Sequence, residues 1–360
     1  MNQPRNHDGA SAGSSALRYA RQAALPQMGE AGQKRIGQAS VLLIGCGALG
    51  STQAELLARA GIGRLILTDR DIVEWHNLPR QNLYDEHDVR ERRLKALAAE
   101  RRIRAINEQV TIEPHVLDVT ADNIAELVRD ADVILDATDN FATRFLLNDA
   151  AVAGQKAWVY GGVLGTSGNV MAVLPGQGPC LRCLMPDLPP REAYPTCETA
   201  GVLNAAVAWV AALQVAKALR FLVAPAPLPA TLHVLDVWEG AAQVVNVNRK
   251  TSCTCCEMRV FEFLHAPRQR MTTTVLCGSD TIMVTPEASI RPDFNVLMQH
   301  LAQQGRVTTN GAVLEFCSGP CRLVVFQDGR TLVHGARDEE EAIEWVDTHV
   351  LTRKPEGEIS

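Results

Sequence analysis

The chain contains 360 residues, of which 46% are hydrophobic, and its formal net charge is −6 at pH 7. This length favours one large and one small domain, and the hydrophobic fraction is sufficient for a buried core. The acidic balance argues against a nucleic-acid partner. Residues 1–16 are polar, lack the apolar segment of a signal peptide and are predicted to be a disordered tail. We therefore expect a cytoplasmic protein whose ten cysteines are reduced or bind a metal.

Strand and helix patterns alternate along the first half of the chain. The predicted strands are 41–45, 64–69, 110–117, 132–138, 157–163 and 169–174, and the predicted helices are 51–61, 92–106, 122–130 and 142–154. This alternation is typical of an α/β fold, and we expect a Rossmann-like, doubly wound parallel sheet with helices on both faces. The apolar segment 201–223 contains Lys217 and Arg220, so it is predicted to be a core or dimer helix and not a membrane span. Strands at 231–237 and 242–248 follow it.

The end of the chain predicts a second, smaller domain. We expect a large domain over 17–265, a linker over 266–272 and a small α+β domain over 273–360. Short strands lie between 313 and 335, where Asp328-Gly329 is the strongest turn signal. The predicted helices of this domain are 293–304 and 338–351.

A glycine-rich segment joins the first predicted strand to the first predicted helix. Gly45, Gly47 and Gly50 permit a tight turn and a close approach of phosphates, which the helix N-terminus attracts. Asp69 follows the second strand, where an acidic residue binds ribose hydroxyls in this kind of fold. The pattern predicts nucleotide binding but does not distinguish NAD from ATP.

The polar residues that follow two strands favour ATP. After the second strand come Asp71, Asn77, Arg80 and Gln81, and after the fourth come Asp136, Asp139 and Asn140. Ligands of such sheets bind at the carboxyl ends of the strands. Nucleotidyl transfer needs cations beside a triphosphate and a carboxylate for Mg²⁺, whereas hydride transfer has little use for so many polar groups there.

Two CxxC pairs predict a metal site. Cys180 and Cys183 form the first pair, and Cys253 and Cys256 form the second. Four thiolates in two such pairs suit a closed structural Zn²⁺ site. Cys255 is a rival for the last position, although the two-residue spacing favours Cys256. Cys277 and the CxxxC pair of Cys317 and Cys321 are expected to be reduced structural cysteines.

Seven motifs occur in order along the chain: RYARQ (18–22), GCGALG (45–50), AGIGRLILTDRD (60–71), NLPRQ (77–81), DATDNFATR (136–144), CLRC (180–183) and TCETAGVL (196–203). Over roughly residues 17–260 they resemble the ThiF/MoeB/HesA family, bacterial relatives of ubiquitin-activating enzymes. The resemblance implies a homodimer that binds ATP and Mg²⁺ and adenylates the C-terminal glycine carboxylate of a ubiquitin-fold sulfur-carrier protein ending in Gly-Gly. It also implies zinc at the four cysteines. We expect sulfur to come from a separate sulfurtransferase or cysteine desulfurase.

The resemblance also implies individual roles. The three glycines would form the phosphate-binding loop, and Asp69 would bind the ribose. Arg80 and Lys95 would contact the phosphates and neutralise their charge. Asp139 would place Mg²⁺. Two further roles follow: Arg21 would reach into the partner subunit's site, and Cys197 aligns with a cysteine that in some members bonds to the carrier or its sulfur.

Several alternatives stay open from the sequence. Arg93 is the rival of Lys95, because the segment before Lys95 is longer than the family pattern, although the register of the following helix favours Lys95. The substrate could instead be a peptide or a small carboxylate in natural-product biosynthesis. The chain could also be an NAD-dependent Rossmann oxidoreductase or a nucleotide-binding scaffold without catalysis. We expect the small domain to help dock the carrier, and we expect no nucleic-acid or membrane partner.

Overall fold

The computed structural model describes residues 17–189, 199–224, 229–265, 271–276, 281–286, 292–309, 311 and 313–351. Contacts divide the chain into two units, Met1–Ala266 and Pro267–Ser360. The predicted disordered tail and residues 266–270 of the predicted linker lie outside the described residues. Met271 and Thr272 also fall in the predicted linker, but they belong to a strand of the second unit because they pair with Pro286 and Thr285.

The first unit is built on a sheet of eight strands in the order β3-β2-β1-β4-β5-β6-β7-β8. The strands are β1 Ser40–Ile44, β2 Arg64–Thr68, β3 Thr111–His115, β4 Val133–Asp136, β5 Ala157–Leu164, β6 Ser167–Val173, β7 Thr231–Asp236 and β8 Ala241–Asn246. The five strands from β3 to β5 are parallel, as the sequence predicts. The last three strands are antiparallel. The reason is local: only Gly165 and Thr166 separate β5 from β6, and so short a connection joins antiparallel strands alone.

Helices cover both faces of this sheet. They are α1 (17–23), α2 Gly29–Ile36, α3 Ala48–Ala60, α4 Glu86–Arg90, α5 Lys95–Ile106, α6 Ile124–Arg129, α7 Phe141–Ala153, α8 Leu181–Leu184 and α9 Asn204–Val223. Alternate residues of β1 enter different cores: Val41 and Leu43 pack with α3, α5 and α9, and Leu42 and Ile44 pack with α6 and α7. This alternation follows from the two-residue period of a strand and confirms the doubly wound architecture.

Helix α9 is a core helix, as the sequence predicts. Within the described residues it is the one helix that is long and apolar enough to span a membrane by length and composition. It packs on α3, β5 and β6, and its residues Val210, Ala211 and Gln214 are fully buried. Its apolar composition is therefore explained by packing within the unit.

The second unit is an antiparallel sheet in the order β11-β12-β13-β14-β10-β9 with two helices. Its elements are β9 Met271–Leu276, β10 Thr281–Pro286, α10 Phe294–Leu301, β11 Arg306–Thr309, β12 Val313–Ser318, β13 Cys321–Phe326, β14 Thr331–His334 and α11 Glu339–His349. The predicted turn at Asp328-Gly329 is confirmed: Phe326 N donates to Arg330 O at 2.8 Å, and Gly329 has a φ of 85°.

Candidate active site

The register of three parallel strands brings the predicted nucleotide residues to one edge of the first sheet. Ile44, the last residue of β1, pairs with Thr68 of β2 on one side and with Asp136 of β4 on the other. The glycine-rich segment, Asp69 and the segment after Asp136 therefore leave the sheet side by side. This edge is the carboxyl end of the strands, where ligands bind in sheets of this kind.

The three glycines of the first loop have different reasons to lack a side chain. Gly45 has a φ of 100°, and a Cβ there would lie 2.7 Å from the carbonyl oxygen of Ala137. A Cβ at Gly50 would lie 2.0 Å from the carbonyl oxygen of Gly45. Gly47 instead caps α3, and the nearest atom to its Cβ position is Nε2 of Gln81, 3.9 Å away. Two glycines thus allow the tight turn, and the third leaves open space at a helix N-terminus, where anions bind favourably.

Asp69 fixes the shape of this loop. Its carboxylate accepts hydrogen bonds from Cys46 N at 2.7 Å and from Asp71 N at 2.8 Å. Each carboxylate oxygen can accept a second hydrogen bond, so the group still has sites for ribose hydroxyls. Burial, followed by the charge of Asp69, raises the pKa of the Cys46 thiol, so this loop cysteine stays protonated.

Lys95 and its rival Arg93 contact different carboxylates. Nζ of Lys95 donates to Asp71 Oδ2 at 2.9 Å, and the residue is 7% exposed. Burial disfavours the charged form, but the carboxylates of Asp71, Asp69 and Asp139 outweigh it and raise the pKa of Lys95, so the side chain is a permanent cation. Arg93 instead contacts Glu91 and Asp88. The structure therefore provides a buried cation beside Asp71 at residue 95, and the role of Lys95 in phosphate binding stays a prediction.

The NLPRQ segment contributes one structural residue and two residues near the open space. Asn77 is buried, and its side chain accepts a hydrogen bond from Glu74 N at 3.0 Å, which holds a single-turn 3₁₀ helix, Trp75–Asn77. Arg80 is half-buried and donates to the carbonyl oxygen of His76. Gln81 is buried beside Gly47, and within the described residues its amide oxygen has no hydrogen-bond partner. The side-chain oxygen of Asn77 is thus already hydrogen-bonded within the fold, whereas the side-chain oxygen of Gln81 remains an unpaired acceptor among the described residues.

Asp136 and Asp139 have opposite environments, although only two residues separate them. Asp136 is fully buried, and its carboxylate accepts four hydrogen bonds, two from Thr138, one from Nε of Arg144 at 2.8 Å and a longer one from Gly161 N. It is a scaffold residue of the loop. Asp139 is exposed at the end of that loop, and its Oδ1 accepts a hydrogen bond from Nδ2 of Asn140 at 3.3 Å. Asn140 next to it caps α7 by accepting from Thr143 N at 2.8 Å.

In the RYARQ motif, Tyr19 and Gln22 hold α1 in place, and Arg21 is exposed. Tyr19 is buried against Gly61 and accepts a hydrogen bond from Asn107 at 2.8 Å. Gln22 donates to the carbonyl oxygen of Ala60 at 2.9 Å. These contacts hold α1 at the end of α3, and Arg21 between them is exposed.

Four cysteines form a compact buried cluster. The ligand atoms of Cys180, Cys183, Cys253 and Cys256 all lie within 4.8 Å of one another. Two Sγ–Sγ distances are 3.6 Å and 3.5 Å, between the first and third and between the second and fourth cysteines. A tetrahedral zinc ion with Zn–S bonds of about 2.3 Å requires S–S edges of about 3.8 Å, so the cluster fits such an ion. A disulfide would need about 2.05 Å and is excluded for these pairs.

The cluster selects Cys256 over its rival Cys255. The Sγ of Cys255 accepts a hydrogen bond from Asn148 at 3.2 Å and is not part of the cluster. In the absence of a metal, hydrogen bonding with Cys180 and then burial raise the pKa of Cys183 to about 12. Metal binding here must therefore displace protons. Cys197 lies outside the described residues.

The sequence did not identify four residues that form hydrogen bonds at or beneath this edge. Tyr84 Oη donates to Cys46 O at 2.7 Å, and Arg144 forms the buried pair with Asp136. Gln53 and Gln214 are fully buried beneath the edge. The position of Arg144 in DATDNFATR could have predicted this pair. Arg144 lies one helical turn after Asn140, the N-cap of α7, and from there its side chain can reach back to Asp136. The two glutamines have no such signal, because their meeting depends on the packing of α3 on α9.

Comparisons with known proteins identify the family of the chain. A profile of the ThiF family matches residues 19–255. The chain is 42% identical over 324 residues to the sulfur carrier protein ThiS adenylyltransferase of Bacillus subtilis, an alignment that covers 89% of this chain and 95% of that protein. It is 41% identical over 245 residues to the sulfur carrier protein adenylyltransferase of Thermus thermophilus, covering 66% of this chain and 90% of that one.

More distant similarity points to the same fold. Adenylyltransferase and sulfurtransferase MOCS3 of Xenopus laevis is 36% identical over 67% of this chain and 53% of that protein. A solved structure of E. coli MccB with MccA-N7isoASN superposes with a TM-score of 0.59 at 22% identity, covering 67% of this chain and 74% of that one. At that identity the superposition supports the fold alone. From the profile and the Bacillus alignment together, this chain belongs to the ThiF family of adenylyltransferases.

Proposed function

We propose that this chain uses ATP to adenylate the C-terminal glycine carboxylate of a ubiquitin-fold sulfur-carrier protein that ends in Gly-Gly. The observation that carries this proposal is the 42% identity to a ThiS adenylyltransferase across 95% of that relative. The products are the carrier acyl adenylate and pyrophosphate. We further propose that the enzyme works in the cytoplasm.

The proposed chemistry matches the groups at the carboxyl edge. A carboxylate is already a nucleophile at neutral pH, so the site needs neither a strong base nor a covalent nucleophile. What it needs is alignment and neutralisation of the charge that develops on the α-phosphate and pyrophosphate. Lys95 is a fixed cation at the edge, and Arg80 would leave its intrachain carbonyl contact to meet a phosphate. The glycine loop and Asp69 would hold the nucleotide.

Two metal ions complete the proposal. Carboxylate oxygens are the ligands that Mg²⁺ prefers, and Asp139 is an exposed carboxylate beside Lys95 and the glycine loop. Bound Mg²⁺ would neutralise phosphate charge. Zn²⁺ would be held by Cys180, Cys183, Cys253 and Cys256, and its role would be structural because four protein ligands leave no open position.

We also propose that the active form is a homodimer in which Arg21 acts on the partner subunit's site. The exposed position of Arg21 between two anchoring residues supports this role. Mixing Arg21→Ala with Asp139→Ala chains tests it. If Arg21 acts across the dimer, half of the sites in mixed dimers are intact, and random mixing restores about a quarter of wild-type activity. If it acts within its own chain, mixing restores none.

Steps after adenylation involve further partners. The acyl adenylate would accept sulfur delivered by a separate sulfurtransferase or cysteine desulfurase, or would first pass to the thiol of Cys197. The second unit would help to orient the carrier.

ATP–pyrophosphate exchange tests the proposed function. Purified enzyme is assayed with a panel of Gly-Gly-ending carriers, with one of them lacking its last glycine, and with Asp139→Ala enzyme. Exchange that requires one intact carrier and Asp139 supports the proposal. ATP binding without exchange on any carrier would favour a scaffold, and exchange on a peptide or small carboxylate instead would change the substrate class.

A further inference from the structure

A buried polar network lies beneath the loops of the carboxyl edge. Gln53 on α3 and Gln214 on α9 are both fully buried. Nε2 of Gln53 donates to Oε1 of Gln214 at 2.6 Å and to the carbonyl oxygen of Asp136 at 3.2 Å. Nε2 of Gln214 donates to the same carbonyl oxygen at 2.8 Å and to Val159 O at 3.0 Å. The two amides therefore hold one main-chain oxygen at the point where β4 ends.

The network of the two glutamines leaves one of its own acceptors unpaired. Within the part of the chain that the structure describes, Oε1 of Gln53 has no hydrogen-bond partner. An unpartnered buried acceptor costs about 1–3 kcal/mol, and the same network offsets this cost by supplying donors to the buried carbonyl oxygens of Asp136 and Val159. Residue 161 also accommodates the network: a Cβ at Gly161 would lie 2.4 Å from Cδ of Gln214. The chain thus tolerates one unpaired acceptor and lacks a side chain at residue 161 where the two amides contact the carbonyl oxygen of Asp136.

Asp136 is held from two sides at once. The glutamines fix its carbonyl oxygen, and Thr138, Arg144 and Gly161 fix its carboxylate. The chain leaves this doubly fixed residue and reaches exposed Asp139 three residues later. The orientation of Asp136 therefore sets the direction in which the Asp139 loop departs from the sheet.

We infer that Gln214 and Gln53 are positioning residues for Asp139 and act through the carbonyl oxygen of Asp136. This inference rests on the proposed function, because it takes Asp139 as the Mg²⁺-binding carboxylate. A displacement of about 1 Å at a reacting centre can lower a rate by about 10²-fold, so a small tilt of this loop has a large effect on activity. The glutamines would contribute to kcat and to metal affinity without touching ATP or the carrier.

The test compares Gln214→Met and Gln53→Met with Val210→Ala. Methionine keeps the side-chain length and removes the amide donors. Val210 is a fully buried residue one turn before Gln214 on α9 and packs against Gly168; as an apolar side chain it donates no hydrogen bond to Asp136, so its truncation weakens packing only. The assays are ATP–pyrophosphate exchange over a range of Mg²⁺ concentrations and binding of Mn²⁺ with a non-hydrolysable ATP analogue, followed by electron paramagnetic resonance. Zinc content and melting temperature report on the fold.

For Gln214→Met we expect kcat to fall by about 10–100-fold, with a weaker effect for Gln53→Met, because the loop carrying Asp139 is displaced. The Mg²⁺ and Mn²⁺ midpoints should rise, while KM for the carrier and the zinc content stay unchanged. Val210→Ala should lower the melting temperature and leave the metal midpoints unchanged. Wild-type metal midpoints in both methionine variants, or an equal shift in Val210→Ala, would overturn the inference. Failure of wild-type enzyme to exchange with any carrier would instead refute the proposed function, and the Mn²⁺ titration would still decide the role of the glutamines.

Discussion

The cysteine cluster and the carboxyl edge are two polar regions of the same unit with contrasting construction. The four clustered cysteines are uniformly buried, whereas the residues at the carboxyl edge range from fully buried Asp136 to exposed Asp139. A closed set of ligands around a metal serves the fold. At an edge that must admit and release substrates, the polar residues have two different roles instead. Some are buried and hold the loops, and others are exposed and can contact a ligand.

The largest effect on stability is expected from a substitution in the cysteine cluster. Cys183→Ser would remove one of the four proposed zinc ligands, and structural zinc contributes about 10 kcal/mol or more in small zinc domains, so we expect a loss of more than about 5 kcal/mol in unfolding free energy together with the metal. Elemental analysis and urea unfolding measure both quantities. Cys255→Ser is the matched control, since Cys255 lies beside Cys180 and accepts a hydrogen bond from Asn148 but is not one of the four clustered ligand residues. Equal zinc loss in both variants would show that the ligand set is wrong.

Two aspartates at the carboxyl edge allow a buried residue to be compared with an exposed one. Asp136→Asn breaks a buried ion pair with Arg144 and should lower the unfolding free energy by about 3–5 kcal/mol. Asp139→Asn changes an exposed residue and should stay within about 0.5 kcal/mol of wild type while abolishing exchange. Urea unfolding and exchange assays on both variants make the comparison. Strong destabilisation by Asp139→Asn would mean that this carboxylate belongs to the scaffold.

Lys95 and Arg93 offer a similar comparison for catalysis. Lys95→Met removes the cation beside Asp71 and should lower kcat/KM for exchange by about 10²–10³, or about 3–4 kcal/mol. Arg93→Met removes a cation that contacts Glu91 and should leave exchange within a few-fold of wild type. If the two effects are reversed, the phosphate-binding cation is Arg93.

The smallest effect is expected far from both regions, at the pair of Arg64 and Glu113 on β2 and β3. A hydrogen bond from Arg64 lowers the pKa of Glu113 below its usual 4.5. Because the folded pKa lies below the unfolded one, the pair stabilises the protein above about pH 4.5, and this contribution disappears as the pH falls through the folded pKa. Arg64→Gln should therefore cost less than about 1 kcal/mol at pH 7, since the pair is partly exposed, and should cost less at pH 3 than at pH 7. Urea unfolding at both pH values measures the difference, and a penalty that grows on acidification would contradict the sign.

These contrasts also show what the sequence can and cannot predict. Spacing was sufficient for the cysteines, because a CxxC pair forms a local knuckle. The parallel half of the first sheet followed from strand–helix alternation, but the antiparallel half depended on the two-residue turn at Gly165. At the carboxyl edge, the sequence identified polar residues but not their tasks. Asn77 and Asn140 hold local caps, and the hydrogen bonds that occupy them become apparent only in the folded chain.

The most direct test of the central proposal follows the carboxylate oxygen of the carrier. A carrier labelled with ¹⁸O in its C-terminal carboxylate is incubated with enzyme and ATP, the acyl adenylate is released with hydroxylamine, and the nucleotide products are analysed by mass spectrometry. Attack of the carboxylate on the α-phosphate predicts AMP that carries one labelled oxygen, together with unlabelled pyrophosphate. ADP together with labelled inorganic phosphate would show attack on the terminal phosphate and would contradict adenylation.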